Sequence, residues 1–220
     1  MNVRLVSTTA SIDPADLTAE ELIVYIARVS NPDNQMNTET SDRLIAYLIK
    51  NKHWSPFEMV DMTVEIKTSR AIAQQILRHR SFSFQEFSQR YSAVTAMEPV
   101  QLRKAGATNR QSSTEEDDPL IRMRRGTYKA SDIVIHANEH CIEVYNELLK
   151  AGIAKECARM VLPLTTETTL YMKGSVRSWI HYLQIRCGAH TQLEHREIAN
   201  AIAGIFDIEF PNIAKALQNE

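Results

Sequence analysis

The sequence predicts an α/β (α+β) fold, a mostly helical single domain around a small mixed or antiparallel sheet. Apolar residues recur at helical spacing in several segments, one segment alternates with period two, and the two patterns interleave without internal repeats or low-complexity stretches. Of the 220 residues 44% are apolar and 24% charged, a globular composition that excludes disorder. One domain over residues 1–220 is expected at this length, with a sizeable core. Net charge is −2, from 25 Lys and Arg against 27 Asp and Glu, which argues against a strongly basic nucleic-acid or membrane binder. No apolar run reaches the roughly 18 residues of a membrane span. MNVRLVSTTASIDPAD has no long apolar stretch, so no signal peptide is expected and a cytoplasmic location is. The three cysteines, Cys141, Cys157 and Cys187, form no CxxC and are expected as buried thiols in a reducing compartment.

In chain order, residues 2–8 partly alternate and suit a first strand. Thr18 with Glu21 forms a capping box for a helix whose apolar face is Leu22, Ile23, Ile26 and Val29. Asn31-Pro32-Asp33-Asn34 is a turn. A second helix runs from about Thr40 to Lys50 and is broken by the His53–Glu58 segment, where Pro56 keeps Ser55 out of helical space. Residues 58–67 alternate, with Met62, Val64 and Ile66 on one face, and are the clearest half-buried strand. Ser69 suits the cap of a helix over 69–80, followed by an extended or looped segment. Residues 98–118 hold Pro99, Gly106 and a polar run, and are expected as a mobile surface loop. A long helix from about Pro119 to Lys150, ended by Gly152, follows. A short helix stopping at Pro163, a β-prone stretch over 165–173, and helices capped by Ser175 and Thr191 complete the pattern.

The densest polar segment is Arg78–Tyr91, with three Arg, one His and one Glu interleaved with Phe82, Phe84 and Phe87. Guanidinium forks beside Ser hydroxyls suit a phosphate or carboxylate, and the rings suit a flat ligand. A solvated face around a packed strand is the plainer reading. A second cluster carries Arg177, His181 and Arg186 at roughly helical spacing. Arg159, between Ala158 and Met160, is expected to be buried and to want a partner. His136 and His140 share a helix face but lack HExxH, so no metal is expected. With six Gly and no GxGxxG or Walker pattern, a Rossmann-type site is disfavoured. Cys187 beside Arg186 is the one tempting thiol, and helix packing is its expected role.

Arg78-His79-Arg80, seven residues, Ser88, then Arg90-Tyr91 resembles the signature of the flavin-dependent thymidylate synthase (ThyX) family. His53-x-Ser55-Pro56-Phe57-Glu58, Ala158-Arg159 through Pro163, Arg177-Ser178, and Arg186-x-x-x-His190-x-Gln192-x-Glu194 resemble further family segments in the same order. The resemblance implies conversion of dUMP to dTMP, with methylenetetrahydrofolate as carbon donor, NADPH as reductant and FAD as hydride carrier. It also implies a homotetramer with active sites at subunit interfaces. Carried over residue by residue, it implies FAD contacts at Ser55, Glu58, Arg78, His79, Arg80 and Glu86. Ser175, Val176, Arg177, His181 and His190 join them. The nucleotide would meet Gln74, Gln75, Ile76, Leu77 and Arg78, then Glu86, Phe87, Ser88, Gln89 and Arg90, with Arg159 and Arg186 elsewhere. Arg186 would activate the uracil, and His53 would sit over the flavin and help organise folate. Gln85, Gln89, Ser175 and His181 replace residues common in the family, and the swaps at Gln85, Ser175 and His181 keep hydrogen-bonding character. The alternative is a single-stranded nucleic-acid binder that stacks bases on Phe82, Phe84 and Phe87. A His-metal phosphohydrolase stands third.

Overall fold

Eight helices and eight strands are described in the structure, a computed structural model covering residues 1–94, 96–109 and 112–218. The strands are β1 (Asn2–Thr8), β2 (Asp61–Ser69), β3 (Ser83–Glu86), β4 (Arg103–Ala105), β5 (Ser113–Glu116), β6 (Leu120–Met123), β7 (Gly126–Lys129) and β8 (Glu167–Ser175). The helices are α1 (Ala19–Ala27), α2 (Ser41–Lys50), α3 (Arg70–Ile76), α4 (Ala130–Lys150), α5 (Lys155–Ala158), α6 (Val176–Arg186), α7 (Leu193–Glu209) and α8 (Pro211–Gln218). The sheet order is β1-β2-β8-β3, and β4-β5 and β6-β7 form separate antiparallel pairs. This is the α+β architecture expected from the interleaved patterns.

The chain divides into two compact units. One comprises Met1, Lys67–Arg78 and Glu86–Leu170; the other comprises Asn2–Ile66, His79–Gln85 and Tyr171–Glu220. In the second unit α2 packs on α8, and α7 packs on β1, α6 and α8. Its core holds Ile23, Ile45, Met62, Val64, Ile66, Trp179 and Phe206, all at 1% exposure or less. Met62, Val64 and Ile66 are the apolar face read from alternation. Trp179 also donates its indole N–H to Met62 O at 2.9 Å, so the largest core residue leaves no polar atom unpaired. In the first unit Tyr145 of α4 is fully buried with Val94 and Ala158, flanked by Ile142, Leu148, Val161 and Leu162. Its hydroxyl accepts from Val94 N at 3.4 Å.

Thr18 caps α1 with the full reciprocal box. Ser175 caps α6 by accepting from Ser178 N at 3.3 Å. Gly152, at φ 81, ends α4 in the left-handed region that a Cβ disfavours. Elsewhere tertiary partners override the local signal. Ser69 holds the cap position of α3 without a side-chain bond, because Thr166 O and Leu164 O accept from Arg70 N and Ala71 N instead. The helix stops at Ile76 rather than continuing to residue 80, as the β-favouring residues ahead lead into β3. Thr191 is not the cap of α7: it is buried and donates to Ile185 O at 3.3 Å, leaving Gln192 in the cap position.

The long helix begins at Ala130, eleven residues later than expected. β6 and β7 take the intervening chain, with β-favouring Ile121, Thr127 and Tyr128 about an Arg124-Arg125 turn. Asp118 still caps it through space, accepting from Ser131 N at 2.8 Å and Ser131 Oγ at 2.7 Å. Residues 98–118 are not an irregular loop, since β4 and β5 pair within them; Arg110 and Gln111 lie outside the described residues. The cysteines differ from expectation as well. Cys157 is exposed, Cys141 and Cys187 are half-buried, and all are free. Among the described residues no helix is long and apolar enough to cross a membrane, and no group of three His, Cys, Asp or Glu is placed to hold a metal. His136 and His140 instead face Glu139 and Glu143 on the helix surface.

Candidate active site

Two turns of α6 and the bend before β2 build a cleft in the second unit. Ser175 Oγ donates to Glu58 Oε2 at 2.7 Å, and Arg177 Nη1 donates to Glu58 Oε1 at 2.6 Å. The Ser175 bond first, and Arg177 with it, hold the Glu58 carboxyl below its ordinary range, so it is ionised near neutrality. Arg177, His181 and Gln184 recur at i, i+4 and i+7 and present one helix face to a cleft of about 410 Å³. Trp54, Glu58, Ser81, Ser178 and Ile180 complete its lining. The size falls within the range of small-molecule sites. An indole, a guanidinium and an imidazole around one cleft suit a flat ring carrying phosphate, so the residues fit a flavin nucleotide.

A second polar centre lies at the end of α6. Arg186 Nε donates to His79 Nε2 at 2.9 Å. An arginine always donates, so His79 accepts and is neutral at that nitrogen. Burial first, then the charge of Arg186 and the neighbouring His181, push the His79 pKa down to about 4. Among the described residues the terminal nitrogens of Arg186 have no hydrogen-bond partner, leaving its fork free for a ligand.

In the first unit Glu86 accepts from Thr168 Oγ1 at 3.0 Å and pairs with Arg70 at 3.3 Å. Arg90 is exposed and pairs with Glu156 at 3.1 Å. Gln89 is 5% exposed, and its Nε2 has no hydrogen-bond partner among the described residues. A buried donor left open beside Ser88 and Arg90 is costly unless something accepts from it. Phe87 lines a smaller cavity of about 230 Å³ with Lys67, Glu167 and Thr168.

The sequence-expected residues thus divide. Glu58, Ser175, Arg177 and His181 come together at the cleft, and His79 meets Arg186. His53, Ser55, Arg80 and His190 belong to the same unit but lie outside the cleft lining, all of them exposed. Val176 is fully buried and its N–H donates to Val60 O at 2.8 Å, so its side chain faces the core. Gln74, Gln75, Ile76, Leu77, Arg78, Glu86, Phe87, Ser88, Gln89, Arg90 and Arg159 belong to the first unit. Ile76 is fully buried there and acts in packing. Arg159 is half-buried rather than enclosed, and its neighbour Met160 is 81% exposed. Phe82 is buried against Trp179 at 4.7 Å, so the three phenylalanines do not form an open stacking platform. Burial, then Asp207, raise the Cys187 pKa, which removes the thiolate that Arg186 would favour. Trp54, Ser81, Ile180 and Gln184 were not singled out in the sequence, and Ser178 entered only as part of the Arg177-Ser178 segment, with no contact assigned to it. The spacing of Ser178 and Gln184 about His181 on one helix face was the available signal.

A cleft walled by aromatic and cationic side chains, beside a guanidinium held by a neutral imidazole, is the equipment of a nucleotide-handling enzyme. A family profile described as "Thymidylate synthase complementing protein" matches residues 12–212, and the chain belongs to that family. It is 50% identical over 221 residues to a "Probable flavin-dependent thymidylate synthase" of Paramecium bursaria Chlorella virus 1, covering 99% of each chain. It is 51% identical over 221 residues to a "Flavin-dependent thymidylate synthase" of Synechocystis sp., covering 99% of this chain and 100% of that one. Among solved structures it is similar to a UMP/dUMP methylase, PolB, from Streptomyces cacaoi bound with 5-Br dUMP. The TM-score there is 0.76 at 28% identity, over 99% of this chain and 94% of the other.

Proposed function

We infer that the protein is a flavin-dependent thymidylate synthase that methylates dUMP to dTMP. The observation that carries this reading is the full-length likeness to two proteins of that name. The site supports it: a cleft suited to a flavin nucleotide and a guanidinium positioned by His79 occur in the same unit. Methylenetetrahydrofolate supplies the carbon unit and NADPH the electrons. A bound FAD would supply hydride transfer between the reductant and the nucleotide. Residues 1–220 act as one functional domain, and four chains assemble so that neighbouring copies complete each site. The free cysteines suit the reducing cytoplasm.

Each side chain has a task within this reading. Arg177 and His181 hold the cofactor's anionic and ring portions, with ionised Glu58 fixing the Arg177 fork. Arg78, Arg80, Ser55, His190 and Glu86 add cofactor contacts. Gln75, Ser88, Gln89, Arg90 and Arg159 bind the nucleotide, and the open Gln89 Nε2 donor suits one of its oxygens. Arg186 donates to the uracil edge and stabilises the negative charge that makes C5 nucleophilic. His53 organises the folate. The test is the visible absorbance spectrum of the purified protein, taken anaerobically with NADPH and then with dUMP. Flavin bands that bleach with NADPH and shift with dUMP are expected. A colourless protein that takes up no added FAD overturns the reading.

A further inference from the structure

Behind the bond between Arg186 and His79 lies a second polar pair. Tyr182 Oη and His195 Nε2 are 3.0 Å apart, and both side chains are fully buried. Replacing two bonded core groups by apolar ones of the same shape is often nearly neutral, so packing alone does not call for a hydroxyl and an imidazole here. Their geometry does. Tyr182 precedes Arg186 by one turn of α6, and its ring meets that of His79 edge-on at 4.9 Å and 75°. His195 of α7 stands 6.3 Å from the same ring at 86°, and Phe82 stands 6.4 Å away at 87°. Three rings thus pack edge-on against His79, with its Nε2 lone pair left on Arg186 Nε.

We propose that Tyr182 and His195 are a buried positioning pair that locks the His79 ring as acceptor for Arg186 and so aims the guanidinium at the pyrimidine of dUMP. This rests on reading Arg186 as the activating cation. The titratable groups facing His79 are Arg186, His181 and Tyr182 of α6 and His195 of α7. None is an anion near neutrality: burial raises the Tyr182 pKa, and burial with Arg186 lowers that of His195 to about 4. A proton on His79 Nε2 would remove the acceptor and set a cation against Arg186. The fixed tautomer therefore depends on limiting the access of water and protons to this half-buried ring, which the Tyr182 and His195 rings do where they pack against it.

The test compares the flavin-loaded, full-length wild type with Tyr182→Phe, His195→Leu and His195→Gln. Thermal midpoint, flavin content, dUMP dissociation constant by calorimetry, and kcat against pH are measured for each. Tyr182→Phe and His195→Leu are expected to lower kcat about tenfold while the dUMP dissociation constant moves less than about threefold. The acid limb of kcat is expected to move upward in pH, because a loosened His79 meets water and takes a proton more readily. His195→Gln, whose amide can still bond Tyr182, is expected to restore most of kcat and the acid limb. Variants that lose thermal stability but keep the wild-type kcat and acid limb overturn the proposal. Wild-type protein that binds flavin without any dUMP response overturns the reading of Arg186 and this inference with it.

Discussion

Arg186 is half-buried, bonds His79 through Nε, and among the described residues its terminal nitrogens have no hydrogen-bond partner. Its contribution should therefore appear when charge develops on the uracil, not in cofactor binding. Arg186→Ala is expected to lower turnover by about a hundredfold or more, the range for removing a donor to a developing anion, while flavin content by absorbance stays close to wild type. Flavin lost with the side chain would make it a cofactor anchor instead. Much of the candidate site was legible as residue types: the Arg78–Tyr91 and Ser175–His190 clusters announce anion binding without a glycine loop. Its pairing was not. Arg186 meets a histidine 107 residues away, and Arg177 meets a glutamate 119 residues away. Local spacing carries no information about such bonds. Arg159 shows the converse error, since apolar neighbours in sequence did not bury it.

At the scale of elements, β8 delivers Ser175 to the cap of α6, and its close packing leaves little tolerance. A Cβ on Gly174 would stand 2.5 Å from Phe82 Cδ1, a ring already held edge-on against Trp179. Gly174→Ala is expected to destabilise the protein by about 1–3 kcal/mol through overpacking, read as a lower urea midpoint with an unchanged slope. The elements themselves were legible where pattern and partner agreed, as in the alternating β2 and the capping box of α1. They were illegible where another segment supplied the bond. Carbonyls of residues 164 and 166 cap α3, and Asp118 caps α4 across a hairpin. The short helix α8 follows α7 almost at once and had no counterpart among the expected elements; Pro211 opens it, at a position where the missing N–H costs no helical hydrogen bond.

At the scale of the molecule, α8 closes the second unit by covering α2 and holding α1. Asn212 Nδ2 and Ile213 N both donate to the buried Glu20 carboxylate at 2.8 Å, and burial raises the Glu20 pKa. A chain ending at Phe210 would leave that carboxylate without these donors and bare the α2 face. It is expected to lose about 3 kcal/mol or more in urea unfolding, hydrogen bonds to a charged group being worth about 1.5–3 kcal/mol each. The deficit should shrink as pH falls and Glu20 takes up a proton, since the neutral group needs less solvation. The two tryptophans of the chain divide the same unit differently. Trp179 is sealed in the core with its indole N–H spent on a carbonyl, whereas Trp54 stands half-buried at the cleft wall. Intrinsic fluorescence therefore has two sources with separate duties: Trp179 emits as a gauge of folding, and Trp54 is open to quenching by whatever enters the cleft.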